Sequence, residues 1–114
     1  MVIVKDLVDK KDDRKFEFDH ALWSYDGFKN REDGYSEPIN DKYVDQEKVW
    51  KLLGEGVLEK AWKGLNCTVF AYGQTGSGKS YSTFGYGNNK GIVPMAADKI
   101  FERIRGNTDP NISF

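Results

Sequence analysis

Eight consecutive residues of this chain have the types and spacing for one piece of chemistry. Gly73-Gln74-Thr75-Gly76-Ser77-Gly78-Lys79-Ser80 fits the pattern Gly-x-x-x-x-Gly-Lys followed by Ser or Thr. A polyphosphate carries several negative charges and needs a concave ring of backbone N–H donors. Glycine lets the backbone approach that closely and take the dihedrals such a ring requires. A helix starting where the loop ends points its first N–H groups and its dipole at the phosphates. Lys79 would bridge the β- and γ-phosphates as a point charge, and the Ser80 hydroxyl would be offered to Mg²⁺. These residues predict a site for the phosphates of a nucleotide with its magnesium ion.

At average glycine usage, a chance match in a chain this short is on the order of one in several hundred. Context sharpens the signal. Residues 66–72, Asn-Cys-Thr-Val-Phe-Ala-Tyr, form a short apolar run bounded by turn signals, which predicts a buried central strand. Residues 79–84 should begin a helix. Strand, loop and helix in that order are what the motif demands. The plain alternative is a glycine-rich surface turn followed by an exposed Lys-Ser pair.

The other elements must hold this unit in place. Residues 2–8 are rich in β-branched types and read as a strand, followed by a charged turn at residues 9–13. Phe16, Phe18, His20 and Leu22 alternate with Glu17, Asp19 and Ala21, which predicts a second strand and hence a hairpin. Residues 24–45 carry Gly27, Gly34 and Pro38 among polar residues and read as a long inserted loop. Asp45 is an N-cap candidate, with Glu47 in the first turn. Val49, Leu53, Val57 and Ala61, with Trp50, Leu58 and Trp62 beside them, predict an amphipathic helix that stops near Lys63-Gly64. Gly54 and Gly56 weaken it by ~1 kcal/mol each relative to alanine, and suggest close packing against a sheet. Residues 86–91 read as a polar break. Pro94 suits a helix start, and Ala97, Ile100, Phe101 and Ile104 form a second apolar stripe closing at Arg105-Gly106. Residues 112–114 look like the first of another strand.

Composition narrows the function classes. The chain has 114 residues, enough for one domain, with 17 basic and 18 acidic residues and a net charge of -1. That balance predicts no electrostatic footprint for nucleic acid or membrane. Cys67 is the single cysteine, so no internal disulfide forms and a reducing, cytosolic compartment is expected. No apolar stretch reaches the ~18 residues of a membrane span, and the first residues are too short a run for a signal peptide. His20 reads as a structural histidine and Cys67 as a packing residue. Trp50 and Trp62 read as core, and Asp9, Asp12, Asp13, Glu32, Asp33 and Glu37 as solvated turns.

The stretch Val69-Phe70-Ala71-Tyr72-Gly73-Gln74-Thr75-Gly76-Ser77-Gly78-Lys79-Ser80-Tyr81-Ser82-Thr83-Phe84-Gly85 is similar to the signature of kinesins. Myosins share the fold but carry Glu-Ser-Gly-Ala inside the loop. Phe16-Glu17-Phe18-Asp19 with Trp23-Ser24 resembles the family's second strand and is nearest to the kinesin-3 group. Residues 46–64 resemble its first helix. Gly91-Ile92-Val93-Pro94 with Ala97 and Ile100-Phe101 resembles its Gly-Ile-Ile-Pro-Arg segment, with Met95 in place of the arginine. The resemblance covers residues 16–106.

It implies an α/β fold of the P-loop NTPase class, kinesin/myosin-like, a three-layer α-β-α sandwich present in part. It implies an ATP-driven microtubule motor, cytoplasmic and on the cytoskeleton, using ATP and Mg²⁺. Nucleotide would be bound by Gly73, Gln74, Thr75, Gly76, Ser77, Gly78, Lys79, Ser80 and Tyr81. Amides of residues 75–80 would wrap the phosphates, and Tyr81 would lie against the adenine, as an aromatic one step past the loop is able to do. The plain alternative for Tyr81 is a helix-face aromatic.

In kinesins, hydrolysis needs a Ser-Ser-Arg switch and an Asp-x-x-Gly switch, and neither occurs here. The family's opening Arg-x-Arg-Pro strand is absent as well. Residues 1–114 are thus expected to be the N-terminal part of a motor domain, with no catalytic residue of their own. The isolated piece is expected to bind nucleotide weakly and to show no microtubule-stimulated turnover. The tubulin-contacting face, basic to match an acidic partner, would lie mostly outside it. Two other readings stand beside the motor. One is a non-motile, kinesin-like binding module. The other is an unrelated P-loop NTPase, a kinase or GTPase, against which the Phe-Ala-Tyr lead-in and Gln-Thr-Gly-Ser core speak.

Overall fold

Asp45 starts the longest helical stretch. Its backbone is extended (φ -80°, ψ 175°), and its carboxylate accepts from the Lys48 amide at 2.8 Å, satisfying a donor that has no partner inside the helix. The other carboxylate oxygen accepts from the Tyr35 hydroxyl at 3.0 Å. The helix runs as α1 (Gln46–Val49), a π-helical turn (Trp50–Gly54) and α2 (Glu55–Trp62). In the wide turn the Glu55 amide reaches back five residues to the Trp50 carbonyl. The Trp50 ring lies over Gly54, where a Cβ would sit 2.2 Å from its Cε3. Gly54 thus makes room for an indole of its own helix, whereas a Cβ at Gly56 would meet nothing within 4 Å. Gly64, at φ +79°, ends the helix, with its amide on the Ala61 carbonyl and the Leu65 amide on the Lys60 carbonyl.

The structure, a computed structural model, describes residues 1–5 and 14–111. Among them, strand pairing forms three antiparallel two-stranded sheets, beside one isolated parallel bridge. β1 (Val2–Val4) pairs with β2 (Arg14–Phe16), Val2 opposite Phe16. β3 (Phe28–Asn30) pairs with β4 (Ser36–Pro38), and β5 (Gly85–Tyr86) with β6 (Asn89–Lys90). α3 (Lys79–Thr83) and α4 (Ile92–Arg105) complete the order. Pro94 falls in the first turn of α4, where a missing N–H costs nothing. α4 packs on the π-helical turn, and Arg103 ties it to α2 through Glu59 at 2.8 Å and the Trp62 ring at 4.5 Å. No described helix is long and apolar enough to cross a membrane.

The core is small. Tyr43, Val44 and Trp50 are its buried apolar residues, joined by the buried polar side chains of Gln46 and Asn89. Phe28 packs its ring 4.9 Å from that of Tyr43. A parallel bridge between Trp23 and Tyr43, with the Val44 amide on the Trp23 carbonyl at 2.8 Å, brings the preceding segment alongside.

Several expectations are corrected. Residues 66–72, read as a buried central strand, pair with no strand here, and Val69, Phe70 and Tyr72 are 50%, 82% and 96% exposed. A central strand is made by ladder partners on both sides, and none lies alongside among the described residues. Cys67 is accordingly exposed rather than packed. β2 ends at Phe16, so His20 sits on no strand face and is exposed. Residues 24–45 are not one long loop but contain the β3–β4 hairpin. Its turn places Gly34 at φ +81°, with the Gly34 amide on the Arg31 carbonyl and the Arg31 amide on the Tyr35 carbonyl. Asp33-Gly34 is a hairpin signal of the kind that turns of this type require. The polar break at residues 86–91 likewise holds the small β5–β6 hairpin. Of the expected second apolar stripe, Phe101 is 59% exposed. The charged turn at residues 9–13 and the strand at residues 112–114 lie outside the described residues.

Candidate functional site

The glycine-rich segment is a tight turn that leads into α3. The Ser77 amide donates to the Gln74 carbonyl at 3.1 Å, closing the turn. Gly76 and Gly78 sit at φ +82° and +88°, a left-handed backbone that L side chains rarely adopt. Gly78 is the residue before the helix, so the chain enters α3 through a conformation that favours glycine. A Cβ at Gly73 would sit 2.4 Å from the Ser77 Oγ, so a side chain there would force the Ser77 hydroxyl to turn away.

α3 then follows with the Ser82 amide on the Gly78 carbonyl and the Phe84 amide on the Ser80 carbonyl, both at 2.9 Å. The Thr83 hydroxyl donates to the Lys79 carbonyl at 2.8 Å. The Lys79 ammonium folds back over the loop, donating to the carbonyls of Gly73 at 2.9 Å and Gln74 at 2.7 Å. Thr75, Gly76, Gly78, Lys79, Ser80, Tyr81 and Tyr86 line a hollow of about 340 Å³. The structure therefore brings most of the expected site residues around one cavity. Gln74 takes part through its backbone, and Gly73 and Ser77 shape the turn from outside the lining.

Tyr81 is half-buried. Its ring faces that of Tyr86, with centroids 6.1 Å apart and planes at 31°. Burial, with Tyr43 beside it, pushes its phenol up to about 12. Tyr81 also lines the hollow beside Lys79 and Ser80.

Beneath α3 lies a buried polar junction that the pattern of apolar residues gave no reason to single out. Gln46, 4% exposed, donates from Nε2 to the Tyr81 carbonyl at 2.6 Å and to the Asn89 carbonyl at 3.4 Å. The Asn89 side chain donates to the Gly34 carbonyl at 2.9 Å and accepts from the Ser36 amide at 2.8 Å. Asn88 adds a bond to the Asp33 carbonyl at 2.7 Å. A Gln directly after an N-cap reads from sequence as an exposed helix residue, so only the tertiary arrangement exposes its role.

A glycine-rich turn that delivers Lys and Ser at the head of a helix defines the P-loop NTPase class. Comparison with known proteins narrows this. The family model "Kinesin motor domain" matches residues 3–114. The chain is 46% identical over 105 residues to rat "Kinesin-like protein KIF28", covering 90% of this chain and 10% of that protein. It is 44% identical over 96 residues to human "Kinesin-like protein KIF13A", covering 84% of this chain and 5% of that one. A solved structure of KIF14 with ADP, in complex with a microtubule, superposes with a TM-score of 0.80 at 32% identity. The superposition covers 97% of this chain and 27% of that one.

This chain belongs to the kinesin motor domain family, and its fold is that family's P-loop NTPase fold, present in part. KIF28 and KIF13A are kinesin-3-like, the group to which residues 16–19 with Trp23 and Ser24 are nearest. The match extends further toward both ends than the residues 16–106 on which the resemblance rested. It sets aside a kinase or GTPase of another lineage. The chain spans about a tenth of the length of the first curated relatives it matches, 10% and 12%.

Proposed function

We propose that residues 73–80 bind the phosphates of MgATP and that the protein to which this chain belongs is an ATP-driven microtubule motor. One observation carries the reading: the turn is shaped by Gly76 and Gly78 in left-handed backbone, and it sets Lys79 and Ser80 beside the same hollow. The residues fit the group. The hollow's volume accommodates a triphosphate tail, and the Lys79 ammonium already sits at the rim on two carbonyl oxygens that phosphate oxygens would replace. Ser80 is exposed and lines the hollow, so its hydroxyl is available to Mg²⁺. Bound magnesium would neutralise charge on the β- and γ-phosphates. Lys79 would hold the same charge from the protein side, and Tyr81 would lie against the adenine.

Microtubule partnership, cytoplasmic location on the cytoskeleton and hydrolysis belong to the same proposal. Their support is the family membership and the KIF14 relative's complex with a microtubule. Residues 1–114 hold the nucleotide-gripping part of the motor domain, while the switch segments that kinesins use for hydrolysis are not among them. This chain is accordingly proposed to bind nucleotide without microtubule-stimulated turnover.

The test uses a fluorescent ATP analogue, titrated with and without Mg²⁺. Binding should tighten with Mg²⁺ in the unchanged chain, and Ser80→Ala should abolish that dependence while retaining magnesium-free binding. Equal binding with and without Mg²⁺ in the unchanged chain would contradict the role of Ser80.

A further inference from the structure

We propose that Gln46 is a positioning residue for the phosphate loop, acting through the Tyr81 carbonyl and resting on the nucleotide reading above. α3 has five residues, too few to hold its own place in water. Its last carbonyls also lack helical partners. The Phe84 amide takes the Ser80 carbonyl, and the next carbonyl along is that of Tyr81. The chain then turns away at Gly85, at φ +74°, so α3 does not continue. The Tyr81 carbonyl is instead taken by the Gln46 side chain, from the first residue of another helix, at 2.6 Å.

The same amide group reaches the Asn89 carbonyl, and the Asn89 side chain is fastened to the β3–β4 hairpin at Gly34 and Ser36. Gln46 thereby joins α1, α3 and the β5–β6 hairpin at a point nearly closed to water. Tyr81 is two residues past Lys79 and one past Ser80. A displacement of its carbonyl is carried along a single helical turn to both side chains of the site. The contact is made by donor hydrogens alone, because both partners are carbonyl oxygens.

Gln46→Glu keeps the shape and removes the donors, and its carboxyl regains one on protonation. Burial and two facing carbonyls raise that carboxyl's pKa, so recovery falls within a usable pH range. Asp45 before it and Glu47 after it add negative charge in the same direction. Three readouts are taken at pH 8 and pH 6: affinity for a fluorescent ATP analogue, hydrogen exchange of the Ser82 and Phe84 amides, and the emission of buried Trp50.

At pH 8, Gln46→Glu should weaken nucleotide binding about tenfold and speed exchange of both amides, with Trp50 emission unchanged. At pH 6 both effects should recede toward the unchanged chain. Gln46→Met, which fills the space without any donor, should show the defect at both pH values. Unaltered affinity and exchange in both variants would overturn the proposal. So would loss of Trp50 burial in both, because Gln46 would then support the whole chain and not the loop. Failure of the unchanged chain to bind nucleotide would defeat the nucleotide reading instead, and the exchange rates would still decide whether Gln46 holds α3.

Discussion

At the scale of single residues, the site depends on polar groups held where their charge state is fixed. Burial, with Tyr43 nearby, raises the Tyr81 phenol to about 12, and burial with Asp45 beside it raises that of Tyr35 as well. Both titrate near 10 in an unfolded chain. A raised phenol pKa means that the folded state holds the proton more tightly. The stabilisation is therefore complete below about pH 10 and is lost as the pH climbs toward 12. An alkaline titration followed by circular dichroism should show unfolding in that window. Tyr35→Phe combined with Tyr81→Phe should flatten the profile there, since no phenol remains to ionise at either position. A double variant with an unaltered alkaline profile would remove these two phenols as the cause.

The residues of the loop were the most legible part of the sequence. Gly76, Gly78, Lys79 and Ser80 are specified by local backbone chemistry, which does not depend on what the rest of the chain does. Gln46 and Asn89 were not legible, because their side chains bond main-chain groups far away in sequence, 35 and 43 residues off for Gln46 and 55 and 53 for Asn89, and a main-chain group leaves no mark on residue type.

At the scale of elements, the helix from Gln46 to Trp62 is governed by one side chain packed on its own backbone. The π-helical turn seats Trp50 over Gly54 with no room for a Cβ. Gly54→Ala should therefore destabilise the chain by roughly 1–3 kcal/mol, the usual range for overpacking, even though alanine is the better helix former. Thermal unfolding read from tryptophan emission measures this directly. Gly56→Ala, in open space, should be neutral or stabilising, and equal effects at the two glycines would refute the distinction. The start and stop of this helix were legible from Asp45 and Gly64, since caps act within a few residues. The π-helical turn was not, because a period of 3.6 cannot reveal one residue of extra winding. The β3–β4 hairpin was marked by Asp33-Gly34. The lead-in at residues 66–72 shows the opposite failure: its apolar run predicts a strand, but a strand needs neighbours that local sequence does not supply.

At the scale of the whole molecule, the chain is elongated. Its radius of gyration is 17.9 Å, with extents of 66 × 37 × 26 Å. A compact chain of this length would have a radius of about 13 Å. The small core around Tyr43 and Trp50 and the exposed Val69, Phe70 and Tyr72 account for the difference. Small-angle scattering of the chain at low concentration should return a radius near 17.9 Å, and a value near the compact figure would mean that these apolar side chains find partners within the chain. The superposition on KIF14 takes in 97% of this chain and 27% of that one.

The central claim, a phosphate cradle at residues 73–80, is tested most directly by calorimetric titration of the chain with MgATP, beside Lys79→Ala. The account predicts saturable binding at one site, weakened at least about tenfold by the substitution, consistent with the loss of one charge-assisted contact. Circular dichroism should show the helices intact in both. Equal heats of binding for the two proteins, or no saturable binding by the unchanged chain, would contradict it.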